Sequence, residues 1–327
     1  MKSAKLAALV LALQVLGFGA VAGAAESTKN YPSRPVRLMV PNAPGSSVDT
    51  LSRVVAAGLS EVLGQQVVLD NRAGAAGVIA MEIAKDATPD GYTLISATTA
   101  ASTIARLLQK KPTFHPVNDY DYVVEFAETP NVLVVNPSVP VKSVKDLIAM
   151  AKSKPSDFRM ASAGNGSQSH MSGAYFMQMA HFESLHVPYK GGGPSVAAVV
   201  GGESHWTLTP APAVMSHVGA GRVRAIAHSL PKPSPLFPSI PPIADTVPGF
   251  DYSGWQGFFF PKGTPKPIID KMRAAVVKTM ERPEVQKGMA FQATAIVLRE
   301  PAEFRKVVEA SMEKNAKLVK SLGLTAN

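Results

Sequence analysis

Two glycine- and serine-rich segments, residues 41–49 and 161–170, contain the residue types that bind small anions. Each segment follows a short apolar run and precedes a stretch of helical character, which predicts a strand, a loop and a helix in that order. The first N–H groups of a helix have no acceptor within the helix, and the helix dipole places partial positive charge at that end. The sequence therefore predicts two loops whose main-chain donors can hold a carboxylate or a similar anion.

The first loop offers both flexibility and donors. Gly45 tolerates a positive φ, and Ser46 and Ser47 supply hydroxyl groups beside the start of the predicted helix. Asp49 falls in the first helical turn, where we expect its carboxylate to cap and hold the loop, because a bare carboxylate facing an anion would repel it. An ordinary strand-to-helix turn with good capping residues has the same composition, so this loop alone leaves both interpretations open.

The second loop has the same layout. Gly164 and Gly166 allow the main chain to approach a ligand closely, and Ser167 is expected to cap the helix. His170 lies in the first turn, where it either donates to a ligand carboxylate or holds the loop. Thr98 follows another predicted strand toward the same cleft and is expected to contact ligand or to cap a helix. One loop from each of two lobes would clasp a small anion between two facing helix N-termini.

The sequence contains no motif of catalysis or metal binding. Gly164-Asn165-Gly166 resembles the start of a dinucleotide-binding fingerprint, but Ser169 stands where the third glycine is required. The chain has no cysteine, no GxSxG nucleophile elbow and no HExxH pair among its seven histidines. We therefore expect no catalytic residue, no metal ligand, no cofactor and no enzyme activity. The alternative is a secreted serine hydrolase using Ser47 or Ser167, for which no base partner is recognisable.

The order of the predicted elements indicates an α/β protein of two lobes. Strands at residues 36–40, 67–69 and 92–96 alternate with helices at residues 51–63 and 76–84, and a second series of units begins near residue 131. Such alternation is typical of parallel βαβ units, and 327 residues are enough for two domains. Ligands of such sheets bind at the carboxyl ends of the strands, which is where both loops fall.

The first two dozen residues have the layout of a secretory signal peptide. Lys2 and Lys5 precede an uncharged apolar stretch, and Ala22-Gly23-Ala24 forms a small-residue cleavage site. We therefore expect residues 1–24 to be removed and the mature protein to be a periplasmic monomer; an uncleaved membrane anchor is the alternative. The net charge is +9, but the basic residues are scattered singly, which argues against nucleic acid and fits small anionic ligands.

Several further segments resemble the Bug-type receptors, the substrate-binding component of tripartite tricarboxylate transporters. The resemblance covers almost the whole chain after the signal peptide and is carried by residues 31–35, 40–49, 68–75, 89–94, 130–137, 164–167, 186–191 and 254–257. It implies a type II, Venus-flytrap periplasmic binding protein in which each lobe is a mainly parallel sheet flanked by helices. It also implies lobe 1 at residues 25–126 and 253–327, lobe 2 at 127–252, and hinge strands near 123–129 and 253–260.

The resemblance extends to the ligand and its handling. Receptors of this family hold a ligand carboxylate through main-chain amides and bridging waters in the two loops. That role carries over to residues 43–49 and 163–170 and adds Ala43, Ala163 and Asn165 to the expected contacts. Membrane permease subunits would receive the ligand-bound form. A ligand sensor for a signalling partner uses the same fold, and the sequence leaves both roles open.

Departures from the family pattern concern the ligand. Asn42 stands where the family has a bulky apolar residue and could add a side-chain hydrogen bond. Thr209 with Pro210 replaces an Asp-Asn pair and His205 replaces an acid, so the rim of lobe 2 is less negative. Trp206 and His205 could stack on a flat ligand, or Trp206 could belong to the core of the lobe. The expected ligand is a small dicarboxylate, either aliphatic or aromatic of the terephthalate kind.

Overall fold

The computed structural model describes residues 30–324 of the 327-residue chain. The predicted signal peptide, residues 1–24, lies outside these described residues. Within residues 30–324, none of the helices combines the length and the apolar composition that a membrane crossing requires.

Ten strands and ten α-helices alternate along residues 30–324. The strands are β1 (Val36–Val40), β2 (Val67–Asn71), β3 (Thr93–Thr98), β4 (Tyr120–Val135), β5 (Arg159–Ser162), β6 (Leu185–Pro188), β7 (Trp206–Pro210), β8 (Arg224–His228), β9 (Ser253–Pro261) and β10 (Ala295–Arg299). The α-helices are α1 (Ser47–Leu63), α2 (Val78–Lys85), α3 (Ala105–Leu107), α4 (Val144–Ser153), α5 (Gln168–Met179), α6 (Gly192–Val200), α7 (Met215–Gly219), α8 (Lys266–Met280), α9 (Pro283–Phe291) and α10 (Pro301–Ser321). A π-helical turn, Ala100–Ile104, runs directly into α3.

The described strands join in one sheet with the order β2-β1-β3-β9-β4-β7-β5-β6, and β8 and β10 also pair with β4. β1 is parallel to β2 and β3, and β5 is parallel to β6 and β7. β4 and β9 lie between these parallel groups and run antiparallel to their neighbours. The predicted two-lobed α/β fold is therefore confirmed. We refer to the half of the sheet with β1–β3, β9 and β10 as lobe 1 and to the half with β5–β8 as lobe 2; β4 pairs with strands of both halves.

β4 is long enough to serve both lobes. Residues 120–130 of this strand pair with β9, and residues 131–135 pair with β7 and β8. The exchange of partners occurs at Pro130, which has no N–H to donate and therefore suits the end of a hydrogen-bonded ladder. The next residue, Asn131, donates its N–H to Ser229 Oγ and its amide Nδ2 to the carbonyl oxygen of Tyr252. These bonds fix the crossing point between the lobes.

Alternating side chains of the strands fill separate cores on the two faces of each lobe. In lobe 1, Leu38 packs in a core with α1 and α8, whereas the adjacent Met39 packs with α2 and α10 on the opposite face. In lobe 2, Leu133 packs with α4 and α5, and the adjacent Val132 packs with α6. The sheets are thus covered by helices on both sides, as their nearly continuous apolar strands require.

Four helices begin at residues that apolar spacing alone did not indicate. α1 begins four residues before Leu51, where the predicted helix starts, and α5 and α6 begin three and four residues before Met171 and Val196, the first residues of their apolar patterns. Their first turns are polar or glycine-rich because they lie at the boundary between the two lobes instead of in the core of one lobe. α2 begins two residues later than predicted, because Ala76 has a left-handed φ of 55° that interrupts the helix.

The sequence pattern did not predict β10, which is fastened to β4 by charged groups. Arg299 Nη1 donates to Glu125 Oε1, and Arg299 Nη2 donates to Glu128 Oε1, both at 2.7 Å. Glu125 is fully buried, and its burial raises its pKa to about 7 despite the hydrogen bond and charge of Arg299. A carboxyl group that ionises near neutral pH therefore lies on the strand that both lobes share.

Replacement of Arg299 by methionine should destabilise the protein, because ionised Glu125 would lose its cation. We expect the free energy of unfolding to fall by about 2 kcal/mol at pH 8, less than the roughly 3–5 kcal/mol of a fully buried pair, because Arg299 is partly exposed. The pKa of Glu125 is raised in the folded state, so its ionisation destabilises the fold as pH rises from about 4.5 through about 7. The deficit of the variant should therefore shrink at pH 5, where the carboxyl group is protonated.

Urea denaturation at the two pH values measures this deficit. Lys266→Met, which removes an exposed pair with Asp270, is the control and should change the free energy of unfolding by less than about 0.5 kcal/mol. An Arg299→Met deficit of the same size at pH 5 and pH 8 would contradict the role given to Glu125.

Candidate ligand-binding site

A cavity of about 640 Å³ lies between the lobes, and both predicted loops line it. Its volume falls within the roughly 300–1,000 Å³ of typical small-molecule sites. Polar residues of lobe 1 that line it are Asn42, Ser46, Ser47, Thr98, Gln109 and Gln256. Polar residues of lobe 2 that line it are Asn165, Ser167, Gln168, Ser169, Tyr189, Lys190 and Thr209, and Thr129 lines it from the shared strand β4. The two glycine-serine loops therefore face one common space.

The first loop is held by hydrogen bonds of its own. Ser46 Oγ accepts the N–H of Asp49 at 3.3 Å and caps α1. Gly45 has a left-handed φ of 76°, which brings its N–H within 2.9 Å of Asp49 Oδ2. Asn42 Oδ1 accepts the N–H of Ala43 at 2.9 Å, which fixes the Asn42 side chain at the edge of the cavity. The bonds of Ser46, Asp49 and Asn42 thus hold the main chain of the loop.

Asp49 supports this loop from behind and does not line the cavity. Besides Gly45, its carboxylate accepts hydrogen bonds from Arg53, at 2.9 and 3.0 Å, and from Asn71 Nδ2, at 3.0 Å. Burial alone would raise the pKa of Asp49, but the hydrogen bonds from Arg53, Gly45 and Asn71 outweigh it and hold the pKa below its usual range. The carboxylate is ionised, and Arg53 balances its charge.

The second loop repeats the arrangement with a different acceptor. Ser167 Oγ accepts the N–H of His170 at 3.2 Å and caps α5. Gly166, with a φ of 75°, donates its N–H to His170 Nδ1 at 3.1 Å. Ala163 donates its N–H to Ser169 Oγ at 2.9 Å. His170 therefore occupies in this loop the place that Asp49 occupies in the first.

The imidazole of His170 lies outside the cavity lining and stacks on His186, with ring centroids 4.2 Å apart. His186 Nε2 lies 2.6 Å from Ser162 Oγ. Burial lowers the pKa of His170, and burial together with the neighbouring His170 lowers the pKa of His186 to about 4. Both rings are neutral at pH 7. Of the two roles predicted for His170, the structure supports the holding of the loop.

The first N–H groups of α1 and α5 are unpaired among residues 30–324. In α1 the N–H of Asp49 is capped by Ser46, but the N–H groups of Ser47 and Val48 have no acceptor. In α5 the N–H groups of Gln168 and Ser169 likewise have none. Ser47, Val48, Gln168 and Ser169 all line the cavity. The cavity therefore has main-chain donors and the positive ends of helix dipoles on two sides, which is an arrangement suited to an anion.

Polar side chains on strands also line the cavity, among them Thr98, Thr209 and Gln256. Gln256, on β9, donates its Nε2 to the carbonyl oxygen of Val48 and lies 2.7 Å from Ser96 Oγ. Thr98 lines the cavity, and its Oγ1 also accepts the N–H of Ala101 at 3.2 Å. The predicted capping bond is therefore present, and contact with a ligand stays a prediction. Thr209, on β7, faces the same space from lobe 2 and is almost fully buried.

The rest of the lining is mostly apolar and nearly free of charge. Lys190 is the one charged side chain among the described lining residues, and it is exposed. Small apolar residues form much of the wall, namely Ala73, Ala75, Ala76, Ala100, Ala101, Ala105 and Ala213. Among residues 30–324, no aspartate or glutamate lines the cavity. An anion here would be held by neutral donors, with room for a hydrocarbon part beside the alanines.

Nine of the twelve contacts expected from the sequence line the cavity: Asn42, Ser46, Ser47, Thr98, Ala163, Gly164, Asn165, Ser167 and Thr209. The other three support the loops from outside the lining: Ala43, Asp49 and His170. The sequence pattern did not predict that Gln109, Thr129, Lys190, Gln256 and the turn at residues 73–78 also line the cavity. The Ala73-Gly74-Ala75-Ala76-Gly77 run after β2 was the available signal for that turn, because such a run favours positive φ angles.

Of the interpretations left open for Trp206 and His205, stacking on a flat ligand is wrong. Trp206 is fully buried in the core of lobe 2, and its indole N–H donates to Ser184 Oγ at 3.0 Å. His205 stacks on Phe158, and its Nδ1 accepts the N–H of Arg159 at 2.9 Å. Neither residue lines the cavity. The alternative interpretation of Trp206 as a core residue is confirmed.

The serine-hydrolase alternative finds no support in the geometry. Ser167 Oγ is engaged with the N–H of His170 and with Ser169 Oγ, and Ser47 has no imidazole partner among the described residues. The serine–histidine pair that does exist, Ser162 with His186, involves a serine that is fully buried and outside the cavity. Among residues 30–324, His, Asp and Glu also form no group that could hold a metal ion.

Comparisons with known proteins agree with this geometry. The model of the tripartite tricarboxylate transporter family receptor, TctC, matches residues 51–324. BugT of Bordetella pertussis is 33% identical over 316 residues, which cover 95% of this chain and 97% of that protein. The structure of Rpa4515 of R. palustris with adipate has a TM-score of 0.87 and 32% identity, covering 91% of this chain and 100% of that chain.

A further solved structure, MatC of Rhodopseudomonas palustris with bound malate, has a TM-score of 0.83 and 28% identity, covering 88% of this chain and 100% of that chain. The family consists of solute-binding receptors, which are not enzymes. The family model spans most of the sequence, and the relatives align over nearly their whole length. The chain belongs to the receptor family of the tripartite tricarboxylate transporters, the Bug-type receptors.

Proposed function

We propose that this protein captures a small carboxylate in the periplasm and presents it to the membrane permease subunits of a tripartite transporter. The observation that carries the proposal is the convergence of unpaired N–H groups from α1 and α5 on one cavity without acidic side chains. Helix N-termini of this kind bind anions without a buried cation. The adipate and the malate in two related structures support a carboxylate as the anion.

The lining favours a dicarboxylate with a hydrocarbon spacer. One carboxylate would accept hydrogen bonds from the N–H groups of Ser47 and Val48 in lobe 1 and of Gln168 and Ser169 in lobe 2. Lys190 offers a charge for the second carboxylate, and the alanine-rich wall suits the spacer between them. Aliphatic dicarboxylates and aromatic ones of the terephthalate kind both fit this chemistry.

Capture would proceed by closure of the two lobes around the ligand. A carboxylate first binds the donors of one loop, and rotation about β4 and β9 then brings up the donors of the other. The ligand stabilises the closed form only by the difference in its affinity for the two forms. We place lobe 1 at residues 25–126 and 253–327, lobe 2 at 127–252, and the hinge near residues 123–129 and 253–260. The sharing of β4 between the lobes supports this division.

The cellular setting follows from the same proposal. Removal of residues 1–24 by signal peptidase would release a monomeric receptor into the periplasm. The permease subunits would distinguish the ligand-bound, closed form from the open one. The scattered basic residues and the small-molecule size of the cavity give no basis for nucleic-acid binding.

A thermal-shift screen of the mature protein tests the ligand class. We expect dicarboxylates such as adipate, malate or terephthalate to raise the melting temperature, because a ligand at about 100 times its Kd stabilises the folded state by about 2.7 kcal/mol. Adipamide, the uncharged diamide of adipate, is the matched control and should have little effect. Equal shifts from adipate and adipamide, or no shift from any carboxylate, would refute an anion-binding site.

Ser47→Pro tests the main-chain donors directly. Proline removes the Ser47 N–H at the first helical position, where helices tolerate it, and Ser46 already has the extended φ and ψ of −73° and 163° that a residue before proline needs. A hydrogen bond to a charged group contributes about 1.5–3 kcal/mol, so we expect the Kd for the best dicarboxylate of the screen to rise roughly 10- to 100-fold. Isothermal titration calorimetry measures this change.

Ser47→Ala is the control for that variant, since it removes the hydroxyl group but keeps the N–H. We expect Ser47→Ala to bind within about threefold of the wild type if the main chain supplies the bond. Similar Kd values for the proline and alanine variants would show that the N–H of Ser47 does not contact the ligand.

A further inference from the structure

Three consecutive glycines at the start of α6 lie against the first loop of the opposite lobe. A Cβ atom placed on Gly193 would be 2.7 Å from the carbonyl oxygen of Pro44. A Cβ on Gly192 would be 3.2 Å from Ser46 Cα, and one on Gly191 would be 2.9 Å from Ala43 Cβ. The main chains of the two lobes therefore touch at residues 191–193, with no space for side chains between them.

The backbone conformation does not explain glycine at two of these three positions. Gly191 has a φ of 119°, which favours glycine by itself, but Gly192 and Gly193 have no positive φ. Both lie in the first turn of α6, where glycine is less favourable than alanine by up to about 1 kcal/mol. The contact with Pro44 and Ser46 of lobe 1 is the feature of the structure that requires a residue without a side chain there.

The position of this contact links it to the cavity. Gly191 and Gly192 line the cavity, and Ser46, which Gly192 approaches, immediately precedes the unpaired donors of α1. Contact at residues 191–193 therefore closes the cavity on the side of the first loop. A side chain at position 192 or 193, even a methyl group, would overlap the opposite lobe and keep the two lobes from closing fully.

We propose that residues 191–193, the glycine turn, form the surface on which the cleft closes. The proposal rests on the function proposed above, in which closure traps the ligand. In the open form a methyl group at position 193 would lie in solvent and cost nothing, whereas in the closed form it would overlap the main chain of the opposite lobe. The glycine turn thus raises the affinity for the ligand because it lets the lobes close, without any side-chain contact to the ligand.

Gly193→Ala separates closure from folding. We expect the Kd for the best dicarboxylate of the screen to rise roughly 10- to 100-fold, because a methyl group against a rigid carbonyl oxygen opposes the closed form. The melting temperature without ligand should stay the same or rise slightly, since alanine favours the helix. Gly192→Ala, with a milder overlap at 3.2 Å, should weaken binding less.

Gly219→Ala is the matched control. Gly219 is also a helical glycine without a positive φ, but a Cβ there would have no atom within 4 Å. We expect this variant to bind like the wild type. A fall in affinity of the same size in Gly219→Ala would show that the effect at position 193 is not specific to the contact between the lobes.

A distance measurement reports closure independently of affinity. The chain has no cysteine, so spin labels can be attached at Val68→Cys and Leu185→Cys, two exposed positions on the outermost strands β2 and β6. Double electron–electron resonance should show a short-distance population in the wild type and in Gly219→Ala that Gly193→Ala loses. An unchanged short-distance population in Gly193→Ala, or its absence from the wild type with and without carboxylates, would overturn the proposal.

The same measurements distinguish the two proposals. If carboxylates do not shift the melting temperature but Gly193→Ala still removes the short-distance population, the ligand class is wrong and the closing contact stands. If carboxylates bind and Gly193→Ala neither weakens binding nor changes the distances, the receptor function stands and the role of the glycine turn is wrong.

Discussion

Both loops must expose N–H groups that the protein itself leaves unsatisfied, so the rest of each loop has to be held by other bonds. They meet this requirement in the same way. A glycine with positive φ precedes the capping serine and donates its N–H to a side chain four residues later, from Gly45 to Asp49 and from Gly166 to His170. The acceptor is charged in one loop and neutral in the other, but Arg53 balances the charge of Asp49, so neither brings uncompensated charge to the cavity.

Anchoring of this kind lets neutral groups act as an anion site. A buried N–H group without an acceptor costs free energy, and a bound anion removes that cost by accepting its hydrogen bond. The bond is also stronger there than in water, because the dielectric constant of the cavity is low. The sheet supplies the geometry, because β1 and β5 each end at the loop that follows, and β4 and β9 hold the two lobes face to face. The donors recognise the charge of the ligand, and the alanine-rich wall limits the size and shape of its hydrocarbon part.

Much of the fold and of the two anion-binding loops could be predicted from the sequence, because both depend on residues that are neighbours along the chain. The strand before each loop, the capping serines and the holding role of Asp49 are all local patterns. Gln256 and Lys190 reach the cavity only through the packing of distant segments, which no local spacing encodes. Trp206 shows a second limit of prediction from sequence. An aromatic side chain can stack on a ligand or pack in a core, and only its neighbours in the fold decide between the two roles.

The strand β9 has a consequence for the order in which this molecule can be assembled. It inserts between β3 and β4, although more than a hundred residues separate it from both along the chain. Until residue 261 has been synthesised, β9 is incomplete, and both the edge of β3 and residues 120–130 of β4 lack this partner. An unpaired edge invites association with other chains, so the nascent polypeptide remains vulnerable to aggregation until its last quarter emerges.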